Sequence, residues 1–238
     1  VESGPAGGAI FAADVARRFG LDKVVSYDMG GTTAKICLIE DFHPKTARTF
    51  EVARTYRFCK GSGMPISIPV IEMIEIGAGG GSIAWVDALG RIQTGPESAA
   101  SEPGPACYQR GGVRPAITDA DLVLGKIDPD NFAGGAIPLS VGAAQTAIVK
   151  DVGYRLKLDA TSAAFGICEV VDENMANAAR VHAVENGKNI SDNMMIAFGG
   201  AAPLHAARLC EKLGIDACLV PPGAGVGSAI GFLKAPFG

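Results

Sequence analysis

The sequence predicts an α/β fold, in which strand-like and helix-like segments alternate along the chain. Two compositional observations support this prediction. Of the 238 residues, 48% are hydrophobic and 19% are charged, so the chain has enough apolar surface for a packed core. The 32 glycines are about twice the ordinary usage and follow no collagen repeat. Such an excess indicates many tight turns or backbone that lies close to a ligand.

Charge and cysteine content exclude several classes of protein. The net charge of −4, with no basic block, argues against a nucleic-acid partner and against an acidic membrane surface. The apolar runs fall short of the ~18 residues that cross a bilayer. The six cysteines lie far apart without a CxxC pair, so we expect free thiols and a cytoplasmic location. The chain begins at Val1 without signal-like features, and we expect it to be a piece of a longer polypeptide.

The first half of the chain predicts one helix followed by strands. In order, these are a small-residue helix over 9–19, strands over 24–28 and 35–40, strands over 50–58 and 66–76, and a strand over 83–87. The glycine turn over 30–33 makes the first two strands a β-hairpin, which differs from the strand–glycine–helix arrangement of common phosphate loops. The Gly-, Pro- and Ser-rich stretch over 94–114 predicts a long ordered loop or a short linker.

The second half predicts mostly helices. Its segments are a short helix over 119–126 capped by Thr118, a helix from the cap Ser140 to Val149, a helix over about 160–186, a buried strand over 194–198, a helix over 203–213, a strand over 216–220 and a last helix over 228–234. Small residues over 4–9 and 223–229 allow two helices to approach closely, either as a hinge or as plain packing.

The sharpest local motif is the turn of the hairpin. Asp28 lies at the end of a strand and is followed by Gly30, Gly31 and two hydroxyl residues, Thr32 and Thr33. The backbone N–H groups of such a turn can face phosphate oxygens because glycine has no Cβ in the way. Asp28 would then hold Mg²⁺ directly or through water, or orient an attacking water. A plain hairpin turn with a capping aspartate is the alternative.

A second glycine motif follows the predicted strand over 194–198. Gly199 and Gly200 come between this strand and a helix, an arrangement that can admit a flat base or ribose against the backbone. The helix N-terminus also favours anions. Tight packing of strand against helix is the alternative explanation of the same glycines.

Other familiar sites are excluded by spacing. The segment over 77–82 reads GAGGGS, which lacks the last glycine of a dinucleotide fingerprint and leads into a strand. The chain contains no Walker A motif and no GxSxG, and its three histidines form no HExxH. Cys107 has no base nearby in sequence, which favours a buried free thiol. Asp119 and Asp121, which are two residues apart, fit a helix start better than metal binding or acid–base catalysis.

The order of these motifs resembles the connect 1, phosphate 2, adenosine and connect 2 series of the actin/Hsp70/sugar-kinase superfamily. The four segments in question are 2–8, 28–32, 198–200 and 223–229. Between them, the segments over 77–87, 104–108, 118–122 and 203–206 narrow the resemblance. Together they resemble the hydantoinase A/5-oxoprolinase family, which also includes subunits of acetone and acetophenone carboxylases. The resemblance covers essentially the whole chain.

The resemblance implies an RNase H-like ATPase lobe, with a mixed β-sheet flanked by helices. Residues 1–23 would form a linking helix, and 24–238 a nucleotide-binding lobe with an inserted loop region over about 94–135. The first phosphate hairpin of the superfamily is missing from this chain. We therefore expect the C-terminal portion of an ATPase core, which needs an N-terminal lobe of the same protein and does not hydrolyse ATP alone.

Membership would also imply a reaction. ATP phosphorylates the oxygen of a cyclic amide such as hydantoin, N-methylhydantoin or 5-oxoproline, and a hydantoinase B-type subunit or domain completes the ring opening. The alternative within the family is a subunit of an ATP-dependent ketone carboxylase. The alternative from another class is a non-catalytic module that binds ATP as a switch.

Site residues are carried over from the resemblance position by position. Asp28 would be catalytic and bind Mg²⁺, and ATP would lie against Gly30, Gly31, Thr32, Thr33, Gly199 and Gly200. Weaker candidates for the wall of the cleft are Gly79, Gly80, Gly81 and His205, together with Asp119, which would be a catalytic residue. Two departures stand out. Lys35 occupies the position of a family carboxylate, so it faces either phosphate or solvent, and Ala202 replaces a common glycine beside the base.

Overall fold

The structure is a computed structural model and describes residues 3–52 and 61–235. The chain divides into two compact units. The first contains the residues up to Asp28, together with 35–76 and 176 onwards, and the second contains 29–34 and 77–175. The five cysteines in the described part are free thiols, as expected, and Cys59 lies outside it.

The strands described run from two to seven residues. They are β1 (Lys23–Met29), β2 (Ala34–Glu40), β3 (His43–Pro44), β4 (Thr46–Ala47), β5 (Phe50–Val52), β6 (Met64–Ile66), β7 (Val70–Ile71), β8 (Met73–Ile76), β9 (Ser82–Val86), β10 (Ile92–Ser98), β11 (Met194–Phe198) and β12 (Cys218–Leu219). The longest are β1, β2 and β10. Six of them form one sheet in the order β12–β11–β1–β2–β3, with β8 also paired to β2. β1 and β12 each run parallel to β11, whereas β3 runs antiparallel to β2, so the sheet is mixed as predicted.

Helices account for most of the remaining regular structure. They are α1 (Ser3–Phe19), α2 (Ile117–Val123), α3 (Val141–Ile148), α4 (Tyr154–Leu156), α5 (Ala160–Glu185), α6 (Ala202–Leu213) and α7 (Gly227–Lys234). A π-helical segment, Val149–Gly153, joins α3 to α4. Within the described ranges, no helix combines the length and the apolar character that crossing a bilayer requires.

The core of the first unit is built on α1. Its alanines Ala12 and Ala16 are fully buried, and Phe11 contacts Phe198 of β11 edge-to-face, with ring centroids 5.3 Å apart. α1 also packs directly on α7. A Cβ on Gly231 would lie 1.8 Å from the carbonyl oxygen of Gly7, so the two helices touch through their backbones. This confirms the close approach that the small residues predict.

The second unit has a separate core beside the β9–β10 hairpin. Cys107, Leu122 and Ala144 are buried there together, and Tyr108 packs on Phe132 at 5.6 Å between ring centroids. Cys107 connects these elements because its carbonyl accepts the N–H of Ser140. The Gly-, Pro- and Ser-rich stretch is therefore an ordered loop around Cys107, which is buried in this core.

Several predicted bounds need correction. The strand predicted over 66–76 is divided among three short strands that pair with different partners, β6 with β5, β7 with β4 and β8 with β2, and Pro69, which has no N–H to donate, lies between β6 and β7. The loop predicted from 94 is strand up to Ser98. The helix predicted from 119 begins at Ile117, so Thr118 lies inside it and does not cap it. The strand predicted over 216–220 is only Cys218–Leu219, and the strand predicted over 50–58 falls partly outside the described residues.

Candidate functional site

Two of the sequence motifs meet at one edge of the first unit's sheet. β1 and β11 are parallel neighbours, with Asp28 in register with Phe198. Their carboxyl ends therefore lie side by side, and Gly199 and Gly200 leave β11 next to the end of β1. Ligands of open α/β sheets commonly bind at such carboxyl ends. The sheet thus brings Asp28 and the second glycine motif together, although Phe198 lies 170 positions after Asp28 in the sequence.

Ser228 holds one oxygen of Asp28. Its hydroxyl donates a 2.7 Å hydrogen bond to Oδ2 of the carboxylate. Gly8 supplies the space for this pair, because a Cβ there would lie 3.0 Å from the same Oδ2 and 3.1 Å from the Ser228 hydroxyl. Among the described residues, no hydrogen bond reaches the other carboxylate oxygen of Asp28, which is thus open to a ligand or to water.

The charge of Asp28 depends on opposing effects. Burial raises the pKa of its carboxyl above the ordinary 3.8, and the hydrogen bond from Ser228 and the charge of Lys35 act to lower it. Lys35 itself lies 3.6 Å from Oε1 of Glu75, measured from Nζ, and its side chain is mostly covered. The positive charge of Lys35 therefore offsets the negative charges of Asp28 and Glu75, both in the first unit. A role toward phosphate stays a prediction.

Stability should depend on pH through Asp28. Ionisation of a carboxylate whose pKa is raised in the folded state opposes folding. The resulting loss of stability is present at a pH above the folded pKa and absent at a pH below the ordinary pKa of 3.8. At neutral pH, we expect the free energy of unfolding of Asp28→Asn to be larger than that of the unsubstituted protein. The difference should shrink as the pH falls toward 4. Urea unfolding across a pH series measures it, and a difference independent of pH would contradict the assignment.

Asp28 fits Mg²⁺ only as one ligand among several. In the described part of the chain, no cluster of three or more acidic, histidine or cysteine side chains is placed to hold a metal. Mg²⁺ commonly keeps several waters and takes one or two carboxylates plus substrate phosphates. With Oδ2 engaged by Ser228, the remaining oxygen of Asp28 suits such a shared site.

The tip of the hairpin lies in the second unit and has two unused donors. Gly31 and Thr32 are exposed, and within the described residues their N–H groups donate no hydrogen bond. The N–H of Gly30 is used internally, at 3.1 Å from the carbonyl oxygen of Thr33. A Cβ on Gly30 or on Gly31 would meet open space. Successive free N–H groups on an open turn are what an anion requires.

The triglycine loop, residues Gly79, Gly80 and Gly81, lies against this tip. The N–H groups of Gly80 and Gly81 donate to the carbonyl oxygens of Gly30 and Gly31, at 3.0 and 2.7 Å. A Cβ on Gly79 would lie 2.5 Å from the peptide between Gly31 and Thr32. Gly80 and Gly81, predicted as part of the wall of the cleft, therefore donate their N–H groups to the hairpin.

Asp119 and His205 are enclosed by protein. Asp119 is fully buried, and its two oxygens accept the N–H groups of Ala106 (3.1 Å), Cys107 (2.7 Å) and Ala116 (2.7 Å). This carboxylate clamps a loop to the start of α2, and nothing in its surroundings supports the predicted catalytic role. His205 is fully buried on α6, so its predicted contact with nucleotide also has no support in the geometry.

Gly199 and Gly200 differ in their surroundings. Gly199 has a φ of +93°, which favours glycine, and donates its N–H to the carbonyl oxygen of Ala224 at 2.8 Å. Gly200 is exposed, with open space where a Cβ would be. Gly199 thus supports the tight-turn explanation, whereas Gly200 leaves room for a ligand beside α6.

Sequence reasoning missed Ser228 and the hydroxyl of Thr118. Both are part of motifs that the sequence does single out, but the first was seen only as a small packing residue and the second only as a helix cap. No local pattern reveals that Ser228 reaches Asp28, which is 200 positions away. A hydroxyl among the small residues of a helix start was the only available signal.

Comparison with known proteins agrees with the motif order. The chain matches the Hydantoinase/oxoprolinase family over residues 1–237. An uncharacterized protein of Methanocaldococcus jannaschii is 41% identical, covering 99% of this chain and 35% of that protein. Caprolactamase subunit alpha of Pseudomonas jessenii is 38% identical (93% and 30%), and the acetophenone carboxylase gamma subunit of Aromatoleum aromaticum is 39% identical (96% and 30%). The chain thus spans about a third of the length of these relatives.

Solved structures show the same fold. The nucleotide-free structure of acetone carboxylase, whose acetone carboxylation is ATP-dependent, superimposes with a TM-score of 0.87 at 29% identity, covering 98% of this chain and 32% of that one. The crystal structure of the ATP-dependent caprolactamase of Pseudomonas jessenii gives 0.82 at 37% identity, with the same coverage. The predicted α/β fold is confirmed, and the chain belongs to the hydantoinase/oxoprolinase family.

Proposed function

We propose that this chain is part of an ATP-dependent enzyme that opens a cyclic amide of the hydantoin, N-methylhydantoin or 5-oxoproline type. The observation that carries the proposal is the hairpin tip, where the N–H groups of Gly31 and Thr32 are free to bind phosphate oxygens. Membership of the hydantoinase/oxoprolinase family supports the amide substrate. The similarity to an ATP-dependent caprolactamase supports the use of ATP on an amide ring.

The chemistry follows from the weakness of an amide as an electrophile. Transfer of the γ-phosphoryl group forms a P–O bond to the amide oxygen and breaks the bond to ADP, which makes the ring carbon open to attack by water. Catalysis of this transfer consists mainly of positioning and neutralisation of charge. The N–H groups of Gly31 and Thr32 would hold phosphate oxygens, and Asp28 would take a proton from the water that attacks the ring carbon. Mg²⁺, where bound, supplies positive charge to the phosphates.

Other parts of the protein would complete the site. Because the chain spans about a third of its relatives, we propose that an N-terminal lobe supplies the remaining contacts to ATP. A hydantoinase B-type subunit or domain would finish the ring opening. We expect the isolated chain to show no ATP hydrolysis, and measured turnover by it would contradict this division of the site.

A ketone carboxylase subunit is the second candidate. The chain is 39% identical to the acetophenone carboxylase subunit and 38% identical to the caprolactamase subunit. In that reaction ATP would phosphorylate an enolate oxygen, and the same hairpin contacts would serve. The identity values therefore favour neither branch over the other.

ATP hydrolysis by the full protein with its partner subunit distinguishes these functions. The assay compares hydantoin, N-methylhydantoin, 5-oxoproline and lactams with ketones plus bicarbonate. Stimulation by one class of ring is the expected result. Stimulation by a ketone with bicarbonate would assign the carboxylase branch. ATP binding without stimulation by any compound would favour a non-catalytic nucleotide switch.

A further inference from the structure

We infer that Thr118 and the triglycine loop are positioning residues, which aim the two free N–H groups of the hairpin tip at the phosphates of ATP. The inference rests on the proposed function, because it concerns the same nucleotide site. It gives the triglycine loop a role different from direct contact with the cofactor. All of the residues involved lie in the second unit.

The first step is the geometry of a trans peptide. The C=O of one residue and the N–H of the next belong to one planar group and extend in opposite directions. The carbonyls of Gly30 and Gly31 are bound by the loop, at 3.0 and 2.7 Å. The N–H groups of Gly31 and Thr32, which share those two peptide planes, must therefore face away from the loop. Two hydrogen bonds on one side thus set the direction of two donors on the other.

The second step fixes the loop itself. Thr118 donates twice to the carbonyl oxygen of Gly80, through its backbone N–H and through its hydroxyl, both at 2.8 Å. That carbonyl shares a peptide plane with the N–H of Gly81, which binds Gly31. A chain of hydrogen bonds therefore runs from the buried Thr118 through the Gly80–Gly81 peptide to the Gly31–Thr32 peptide at the exposed tip. Bonds in such a chain polarise and strengthen one another.

The third step is steric. A Cβ on Gly79 would lie 2.5 Å from the carbonyl carbon of Gly31 and from the nitrogen of Thr32. Both are backbone atoms, so the tip would have to move as a whole. Gly77, in the same segment, has nothing within 4 Å of a Cβ and offers a matched control. The loop is therefore shaped to the tip at Gly79 and not at Gly77.

Thr118→Val tests the hydroxyl with little change of shape. Calorimetry on the full protein measures the affinities of ATP and of adenosine, which lacks phosphates. We expect ATP to bind about three- to tenfold more weakly, the effect of one net hydrogen bond, with adenosine unchanged. Thr118→Ser should restore ATP binding. Thr146→Val is the control, since its hydroxyl also donates to a glycine carbonyl, that of Gly142 at 2.8 Å, and it should leave both ligands unaffected.

Gly79→Ala tests the steric step. We expect it to weaken ATP binding more than Thr118→Val does, whereas Gly77→Ala has no effect. Unchanged ATP binding in both Thr118→Val and Gly79→Ala, in a protein that binds ATP, would overturn the inference while leaving the proposed function intact. Equal losses for ATP and adenosine would overturn it too, since they would indicate general damage. An unsubstituted protein that does not bind ATP would instead overturn the proposed function.

Discussion

Replacing Asp28 by asparagine is expected to reduce ATP hydrolysis by the full protein about a hundredfold or more, the usual cost of removing a positioned acid or base. The amide cannot accept a proton and brings no negative charge to a metal. Asn has nearly the same shape, and its oxygen can still accept the 2.7 Å hydrogen bond from Ser228. The loss should therefore appear in turnover while the fold is retained.

Asp22→Asn is the matched control for this experiment. Asp22 is exposed just before β1, so the same chemical change there should leave hydrolysis unaffected. Thermal unfolding of both variants separates loss of chemistry from loss of structure. Full activity in folded Asp28→Asn would remove Asp28 from the reaction. Equal losses in both variants would indicate that the assay reports the charge of the protein and not the site.

The second large effect concerns the pair of helices beneath Asp28. Gly231→Ala would place a methyl group 1.8 Å from the carbonyl oxygen of Gly7 and 2.7 Å from the backbone nitrogen of Phe11. Neither neighbour is a flexible side chain, so α1 and α7 must separate. Overpacking of this kind costs about 1–3 kcal/mol, and contacts with rigid backbone lie at the upper end. Denaturant unfolding should show the loss as a lower midpoint.

Gly225→Ala provides the comparison. Gly225 lies just before α7, and a Cβ there would have nothing within 4 Å. Its substitution should leave the midpoint of unfolding nearly unchanged. Similar midpoints for Gly231→Ala and Gly225→Ala would show that the helices have room to part, and would contradict the close backbone contact.

Much of the fold is readable from local patterns. The hairpin follows from two mostly apolar runs on either side of a glycine turn, and α6 follows from a 3.6-residue period closed by Gly214. Ser140 caps α3 as predicted, because its hydroxyl accepts the N–H of Ala143 at 3.2 Å. These features depend on residues a few positions apart. The bounds of short strands were less accurate, since pairing with distant strands decides where they end.

Short motifs and their order were enough to predict the family, the α/β class and the glycine hairpin, and they single out Asp28 as a candidate site residue. The contacts of Ser228, Thr118, Gly79 and Asp119, in contrast, are visible only in the folded chain. Ser228 binds Asp28, Thr118 binds the carbonyl of Gly80, and Gly79 packs against the backbone of Gly31. Asp119 accepts hydrogen bonds from the enclosed loop around Cys107. A hydroxyl or a carboxylate has the same letter in the sequence whether it caps a helix, binds a loop or takes part in catalysis. Its partners decide which of these it does, and only folding brings those partners close.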